Sequence, residues 1–265
     1  MQLHSICPDL KVVVDNLHVA QQLNDACIRT LRNQLNVLLD LDVGQNRTGV
    51  TSLEDALKLA QGIKELTHLN LIGVQGYEGH LQHLEPGEKK ELCDQAMEKL
   101  TGVADALRAK GHTITTVTTG GTGTAELCAA HEGITEVQPG SFIFMDTAYR
   151  NALNGTYLNA LTVHATVISK KSSNRIVVDA GTKSLSIDTG FAEVAGHPNW
   201  SYTPAGDEHG IVESKASDIR LVPGDRIVLI PSHIDTTIAL HDRYQILRQG
   251  ALEAPLPITA RGKVQ

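Results

Sequence analysis

The chain has 265 residues, 41% of them hydrophobic and 20% charged, with a formal net charge of −7. This length suits one large domain or two ordinary ones, and the negative charge argues against nucleic acid as the main partner. No apolar run approaches the roughly 18–20 residues that span a bilayer, and the N-terminus does not resemble a signal peptide. We therefore expect a soluble, cytoplasmic protein with no membrane or nucleic-acid partner. Its widely spaced cysteines would be reduced: Cys7, Cys27, Cys93 and Cys128.

Residues 1–150 alternate short apolar runs with longer amphipathic ones, which predicts parallel strands connected by helices. Strands are predicted at Leu10–Val14, Leu35–Asp42, Leu69–Gln75, Ile114–Thr118 and Phe142–Met145, and helices at His18–Arg32, Ser52–Leu66 and Glu88–Lys110. Ser52 is the expected N-cap of the second helix. About five strands are too few to close a barrel, so this domain is predicted to be part of one.

Residues 151–265 have a different pattern. Short β-branched segments separated by turns predict an antiparallel β domain: Leu158–Ile168, Arg175–Asp179, Gly210–Glu213 and Arg226–Ile230. The domain boundary is expected near residue 150.

A glycine- and threonine-rich segment, Thr119–Thr124, follows a predicted strand. Glycines let a backbone approach a ligand, and consecutive amides with hydroxyl groups can bind a phosphate. The alternative is a flexible turn between strand and helix. Gly120, Gly121, Thr122, Gly123 and Thr124 are therefore candidate phosphate-binding residues.

Two further candidates follow predicted strands, at the end where barrel enzymes carry their functional groups. Arg47 can donate to an anion or a ring nitrogen, although an ordinary surface arginine is equally consistent with its position. Tyr77 can donate to a phosphate.

His233 and Asp235 lie two residues apart in Pro-Ser-His-Ile-Asp-Thr-Thr. In an extended segment both side chains would project to the same face, and imidazole and carboxylate suit zinc or manganese. A spacing this short also occurs by chance. Lys183 could be considered for a Schiff base, but a structural or solvated lysine is the better interpretation.

Taken together, seven ordered segments resemble the D-threonine aldolase and D-serine dehydratase family, whose fold is that of alanine racemase. They cover about residues 10 to 262 and are Asp-Val-Gly-Gln-Asn-Arg-Thr-Gly-Val, Gln-Gly-Tyr-Glu-Gly-His-Leu-Gln-His, Thr-Gly-Gly-Thr-Gly-Thr, Val-Gln-Pro-Gly-Ser-Phe-Ile-Phe-Met-Asp, Val-Asp-Ala-Gly-Thr-Lys-Ser-Leu-Ser, Asp-Glu-His-Gly and Pro-Ser-His-Ile-Asp-Thr-Thr. Each segment is weak alone, but seven in family order are specific.

The resemblance implies an α/β fold: a partial (β/α)8 TIM-type barrel followed by an antiparallel β domain. It implies that pyridoxal 5'-phosphate is bound with Arg47 facing its pyridine nitrogen. Tyr77 and the Gly120–Thr124 loop would hold its phosphate. His233 and Asp235 would bind a divalent metal (Mn²⁺, Mg²⁺ or Zn²⁺) that engages the β-hydroxyl of a D-amino acid. A homodimer is also implied.

The reaction implied is cleavage of D-threonine and related D-β-hydroxy amino acids to glycine and an aldehyde. In this family the second metal ligand is typically cysteine in dehydratases and aspartate in D-threonine aldolases, so Asp235 favours the aldolase. The alternative is a D-serine or D-threo-3-hydroxyaspartate dehydratase.

The family's Schiff-base lysine lies in an N-terminal Arg-Pro-His-x-Lys segment, which this sequence lacks. No catalytic base or Schiff-base lysine is therefore assigned. Two interpretations stay open: an N-terminally truncated sequence, or a natural, non-catalytic remnant.

Overall fold

The computed structural model describes residues 6–30, 34–216 and 218–263. The chain forms two compact units, Met1–Gly140 and Ser141–Gln265. The sequence places the boundary near residue 150, whereas contacts divide the chain at Gly140. The reason is that the intervening segment bonds to the second unit: Thr147 N donates to Pro231 O at 3.0 Å and Ile234 N donates to Asp146 Oδ2 at 2.9 Å.

The first unit contains one parallel sheet in the order β1-β2-β3-β4-β5, with helices between its strands. Its elements are β1 Lys11–Val14, α1 Leu17–Thr30, β2 Leu35–Asp40, α2 Leu53–Lys64, β3 Leu69–Gln75, α3 Pro86–Ala109, β4 Thr116–Thr119, α4 Ala125–Ala130 and β5 Glu136–Val137.

The first unit follows the predicted pattern closely, and its strands β2 and β4 are the most completely buried. Five of the six residues of β2 are buried, and β3 has the predicted bounds. The Ser52 side chain accepts a hydrogen bond from Asp55 N at 3.1 Å, which confirms the predicted N-cap of α2. The predicted end of α1 at Arg32 lies outside the described residues.

The second unit contains a closed antiparallel barrel in the order β10-β7-β6-β11-β8-β9 and two small two-stranded sheets, β12-β15 and β13-β14. Its elements are α5 Thr147–Ala152, β6 Val163–Ser172, β7 Arg175–Val178, β8 Glu193–Val194, β9 Trp200–Pro204, β10 Gly210–Ser214, β11 Arg226–Ile230, α6 Ile234–Ile238, β12 Arg243–Tyr244, β13 Leu247–Arg248, β14 Ala251–Leu252 and β15 Leu256–Pro257. The antiparallel β domain is thus confirmed, and closure leaves no free edge within the six-stranded barrel.

One predicted strand is wrong. Residues Phe142–Met145 form no strand; Ser141–Ile143 is a 3₁₀ helix, and Met145 has a left-handed backbone with φ of 54°. Phe142 and Ile143 are 41% and 60% exposed, so this apolar run does not mark a buried strand. The strand that follows α4 is the earlier, two-residue β5, which apolar content does not reveal.

Across the described ranges, with their gaps at 1–5, 31–33, 217 and 264–265, no helix is both long and apolar enough to cross a membrane.

Candidate functional site

The loop after β2 is folded around two carboxylates. Asp42 Oδ1 accepts from the backbone N–H groups of Gly44 and Asn46 at 2.9 and 3.0 Å. Asp40 accepts from Thr48 Oγ1 at 2.8 Å; burial, only partly offset by that hydrogen bond, raises its pKa. These bonds shape the loop that carries Arg47.

Arg47 and Tyr77 are neighbours in this unit. Arg47 Cζ lies 5.2 Å from the centroid of the Tyr77 ring, within cation–π distance. Both side chains line a small cleft at the carboxyl ends of β2 and β3, which Gln45 also lines.

Gln45 supplies a test of whether this cleft fits a ligand. Its Oε1 is buried and, within the part of the chain that the structure describes, has no hydrogen-bond partner. An unpaired buried acceptor is costly. The guanidinium of Arg47 and the phenol of Tyr77 are donors that suit the anionic groups of pyridoxal phosphate in chemical type.

The glycine loop after β4 is held from inside the unit by Glu78, whose side chain is fully buried. Its Oε2 accepts from Thr119 Oγ1 at 2.8 Å and from Gly120 N at 3.3 Å. Its Oε1 accepts from Thr124 Oγ1 at 2.5 Å and from Gly121 N at 3.4 Å. Glu78 therefore occupies the position that an anion would take in a nest of backbone amides.

Gln82 also packs against the glycine loop, and its position explains why residues 121 and 123 are glycines. Gly123 N donates to Gln82 Oε1 at 2.8 Å. A Cβ at Gly123 would lie 2.1 Å from the Gln82 backbone oxygen, and one at Gly121 would lie 2.5 Å from Gln82 Oε1. These glycines are thus needed for packing against the protein itself, and the phosphate role of Gly120–Thr124 stays a prediction.

Glu78 and Gln82 were not singled out in the sequence, although they flank Tyr77 and lie in one of the seven segments. Their spacing of four residues was the available signal, because it suits two side chains on one helical turn. Which hydroxyl and amide groups they meet depends on the packing of β3 against β4.

His233 and Asp235 lie in the second unit, immediately after β11. His233 Nε2 is 3.6 Å from Asp235 Oδ2. The expectation of an extended segment is wrong: His233 is the extended N-cap residue and Asp235 lies in the first turn of α6. The first helical turn, rather than strand alternation, brings the two side chains together.

The other ring nitrogen of His233 is also engaged. His233 Nδ1 lies 2.6 Å from Asp188 Oδ2, and Asp235 Oδ2 accepts from Ser141 Oγ at 3.0 Å. Asp188 is 45 residues away in the sequence and was missed. The nearby Asp235 carboxylate, and then the hydrogen bond to Asp188, raise the pKa of His233 to about 9 against the opposing effect of burial.

The pair fits a divalent metal. Two ligand atoms each about 2.1 Å from one ion, at a tetrahedral angle, are about 3.4 Å apart, close to the 3.6 Å observed. Among the described residues no cluster of three or more histidine, cysteine, aspartate or glutamate side chains is placed to hold a metal. His233 and Asp235 stay the two candidate ligands that the sequence predicts.

Lys183, considered above for a Schiff base, lies on the surface. Its Nζ pairs with Glu208 Oε1 at 3.1 Å and Asp207 Oδ2 at 3.6 Å, and its side chain is 63% exposed. These ion pairs support the interpretation as a solvated lysine.

Two family models match the chain. The alanine racemase N-terminal domain matches residues 2–148, and the "putative serine dehydratase domain" matches residues 160–247. A D-threonine aldolase from Arthrobacter sp. is 39% identical over 261 residues, covering 96% of this chain and 68% of its own length. A D-threo-3-hydroxyaspartate dehydratase from Delftia sp. (strain HT23) is 30% identical, covering 93% of this chain and 71% of its own length.

Solved structures agree with these matches. The crystal structure of D-threonine aldolase from Filomicrobium marinum superposes with a TM-score of 0.91 at 31% identity, covering 96% of this chain and 71% of that one. The family models, the relatives and this structure all coincide with the resemblance carried by the seven segments. The chain therefore belongs to the D-threonine aldolase and D-serine dehydratase-like family, which has the fold of alanine racemase.

Proposed function

We propose that this protein acts as a pyridoxal-phosphate- and divalent-metal-dependent lyase that cleaves D-threonine and related D-β-hydroxy amino acids to glycine and an aldehyde. The observation that carries the proposal is the second-unit pair, in which His233 Nε2 and Asp235 Oδ2 lie 3.6 Å apart. A nitrogen and a carboxylate oxygen suit manganese, magnesium or zinc. The 39% identity to a D-threonine aldolase supports the same chemistry.

In the first unit, Arg47 would face the pyridine nitrogen of the cofactor. Tyr77 and the Gly120–Thr124 loop would hold its phosphate. The amides of Gly120, Gly121 and Gly123 already donate to side chains of the protein. The phosphate would therefore be held by the remaining groups, such as the Tyr77 hydroxyl.

In the second unit, His233 and Asp235 would hold the metal ion that binds the β-hydroxyl of the substrate. When bound, pyridoxal phosphate supplies an electron sink and the metal supplies Lewis acidity. Ser141 holds one oxygen of Asp235, which fixes the orientation of that carboxylate. The Schiff-base lysine and the catalytic base are unassigned.

A dehydratase acting on D-serine or D-threo-3-hydroxyaspartate is the second candidate, favoured by the 30% identity to the Delftia dehydratase. Asp235 distinguishes the two candidates, because the resemblance associates aspartate at this position with aldol cleavage and cysteine with dehydration. A third candidate is a protein of this family without lyase activity.

The test is incubation of the chain with pyridoxal phosphate, Mn²⁺ and D-threonine, followed by product analysis. Glycine with acetaldehyde supports the aldolase, whereas 2-oxobutyrate with ammonia supports the dehydratase. The control is His233→Ala, which should lose either activity. If neither product forms and borohydride traps no bond between cofactor and lysine, the proposed lyase activity is contradicted.

We further propose a homodimer in the cytoplasm. None of the four cysteines, all of which lie in the described ranges, forms a disulfide, which suits a reducing compartment. Light scattering at several protein concentrations tests the dimer.

A further inference from the structure

The strongest unexplained group near the proposed metal ligands is the Asp188 carboxylate. Asp188 lies in the loop between β7 and β8 and contacts the start of α6 through both of its oxygens. Oδ2 lies 2.6 Å from His233 Nδ1. Oδ1 accepts from Ser186 Oγ at 2.5 Å and from Thr236 Oγ1 at 3.2 Å.

The Asp188 loop is joined to the start of α6 by further bonds that do not involve His233. Ser186 N donates to Thr237 Oγ1 at 3.2 Å, and Ser232 Oγ donates to Gly190 O at 2.8 Å. These bonds fix the loop two residues before and two residues after Asp188, and the Thr236 contact fixes Asp188 itself. The carboxylate is therefore placed by the barrel and not by His233 alone.

The contact to Asp188 determines which ring nitrogen of His233 is available. A carboxylate accepts hydrogen bonds only, so Nδ1 carries the proton that it donates to Asp188. In the neutral ring this leaves the lone pair on Nε2, the nitrogen that lies 3.6 Å from Asp235 Oδ2. Metal-binding histidines in general use one nitrogen for the ion and donate the other to a carboxylate or carbonyl.

We propose that Asp188 is a positioning residue that holds His233 so that Nε2 faces Asp235 and a divalent cation. Asp188 does not itself bind the ion, because its Oδ2 lies on the Nδ1 side of the ring and its Oδ1 already accepts two hydroxyl groups. Ser186 and Thr236 support its orientation. This inference rests on the proposed metal-dependent function and adds a residue to it.

The experiment measures Mn²⁺ affinity by titration calorimetry on the purified full chain. Asp188→Ala should lower the affinity by about 10- to 100-fold, and Asp188→Asn, which keeps an acceptor oxygen, should lower it less. Asp207→Asn is the matched control, because Asp207 is an exposed carboxylate of the same unit that pairs with Lys183. Its Mn²⁺ affinity should equal that of wild type.

The outcomes separate the inference from the proposed function. If wild type does not bind Mn²⁺, or His233→Ala binds it as tightly as wild type, the proposed metal site fails and the inference fails with it. If His233→Ala loses binding while Asp188→Ala keeps wild-type affinity, only the role of Asp188 is overturned.

A second measurement does not depend on whether the variants fold. Long-range ¹H–¹⁵N NMR spectra of metal-free wild type, at a pH where the His233 ring is neutral, report which nitrogen carries the proton. The expected form is protonated at Nδ1. Protonation at Nε2 would overturn the proposal, whatever the variants do.

Discussion

The two candidate ligand regions use their polar groups in opposite ways. In the first unit, the Glu78 carboxylate is fully buried and accepts from Thr119, Gly120, Gly121, Gln82 and Thr124. In the second unit, His233 is held at one nitrogen while the other faces an exposed carboxylate. The amides of the glycine loop are thus paired within the protein itself, whereas the His233–Asp235 pair leaves an exposed carboxylate beside one ring nitrogen.

This difference shows that the composition of a motif does not reveal whether its polar groups bond to the protein itself or are available to a ligand. Consecutive glycine amides bind an anion, but in this chain the anion is a carboxylate of the protein. In the less distinctive histidine–aspartate spacing, the first turn of α6 brings the two side chains together, and Asp188, 45 residues away, engages the other ring nitrogen of His233.

The largest expected effect is that of Glu78→Gln. The new amide group would face hydroxyl and N–H donors that now meet a carboxylate, leaving several buried donors unpaired. We expect a loss of at least about 3 kcal/mol in the free energy of unfolding, measured by urea unfolding with circular dichroism. The control is Glu98→Gln, an exposed glutamate of α3, which should change stability little. Equal stability of both variants would contradict the internal role of Glu78.

Gly123→Ala should destabilise the same region by about 1–3 kcal/mol through overpacking, because its Cβ would lie 2.1 Å from the Gln82 backbone oxygen. The matched control is Gly102→Ala in α3, where a Cβ meets no atom within 4 Å. That change should stabilise by about 0.4–1 kcal/mol. A stable Gly123→Ala would show that the loop is not packed against Gln82 as described.

Asp235→Cys should shift the metal preference of the second unit from Mn²⁺ toward Zn²⁺, since thiolate is the softer ligand. We expect the ratio of the two affinities to change by roughly tenfold or more, measured by competition titration. The control is Glu253→Cys, which adds a thiol to the second unit away from His233 and Asp235 and should leave the ratio unchanged. An unchanged ratio would argue that Asp235 is not a ligand.

The smallest effect concerns pH. The folded-state pKa of His233 is raised from 6.5 to about 9, so protonated His233 stabilises the metal-free protein. This stabilisation is full below about pH 6.5 and is lost as pH rises through about 9, with an expected size on the order of 1 kcal/mol after allowance for solvent screening.

The measurement is the melting temperature of chelator-treated protein between about pH 6 and about pH 10, a range that spans both the ordinary and the raised pKa of His233. In His233→Gln the melting temperature should fall less steeply as the pH rises. With saturating Mn²⁺ the dependence should reverse in sign, because the metal binds the neutral imidazole. Identical slopes for wild type and His233→Gln would rule out this linkage.

The sequence by itself determined the alternation of buried strands and helices in the first unit. Apolar runs specified β3 and β11 with the bounds observed, and a serine before an amphipathic run specified the N-cap of α2. These features depend on neighbours a few residues apart, which the local pattern contains. The same pattern misassigned Phe142–Met145, whose apolar side chains are partly exposed.

Only the tertiary structure decided how the candidate ligand groups are used. Glu78 meets Thr119 and Thr124 across neighbouring elements, and Asp188 meets His233 across 45 residues of chain. Such contacts depend on how strands and loops pack, and no local periodicity encodes them. The helical turn that begins after His233, rather than an extended segment, sets the 3.6 Å separation from Asp235.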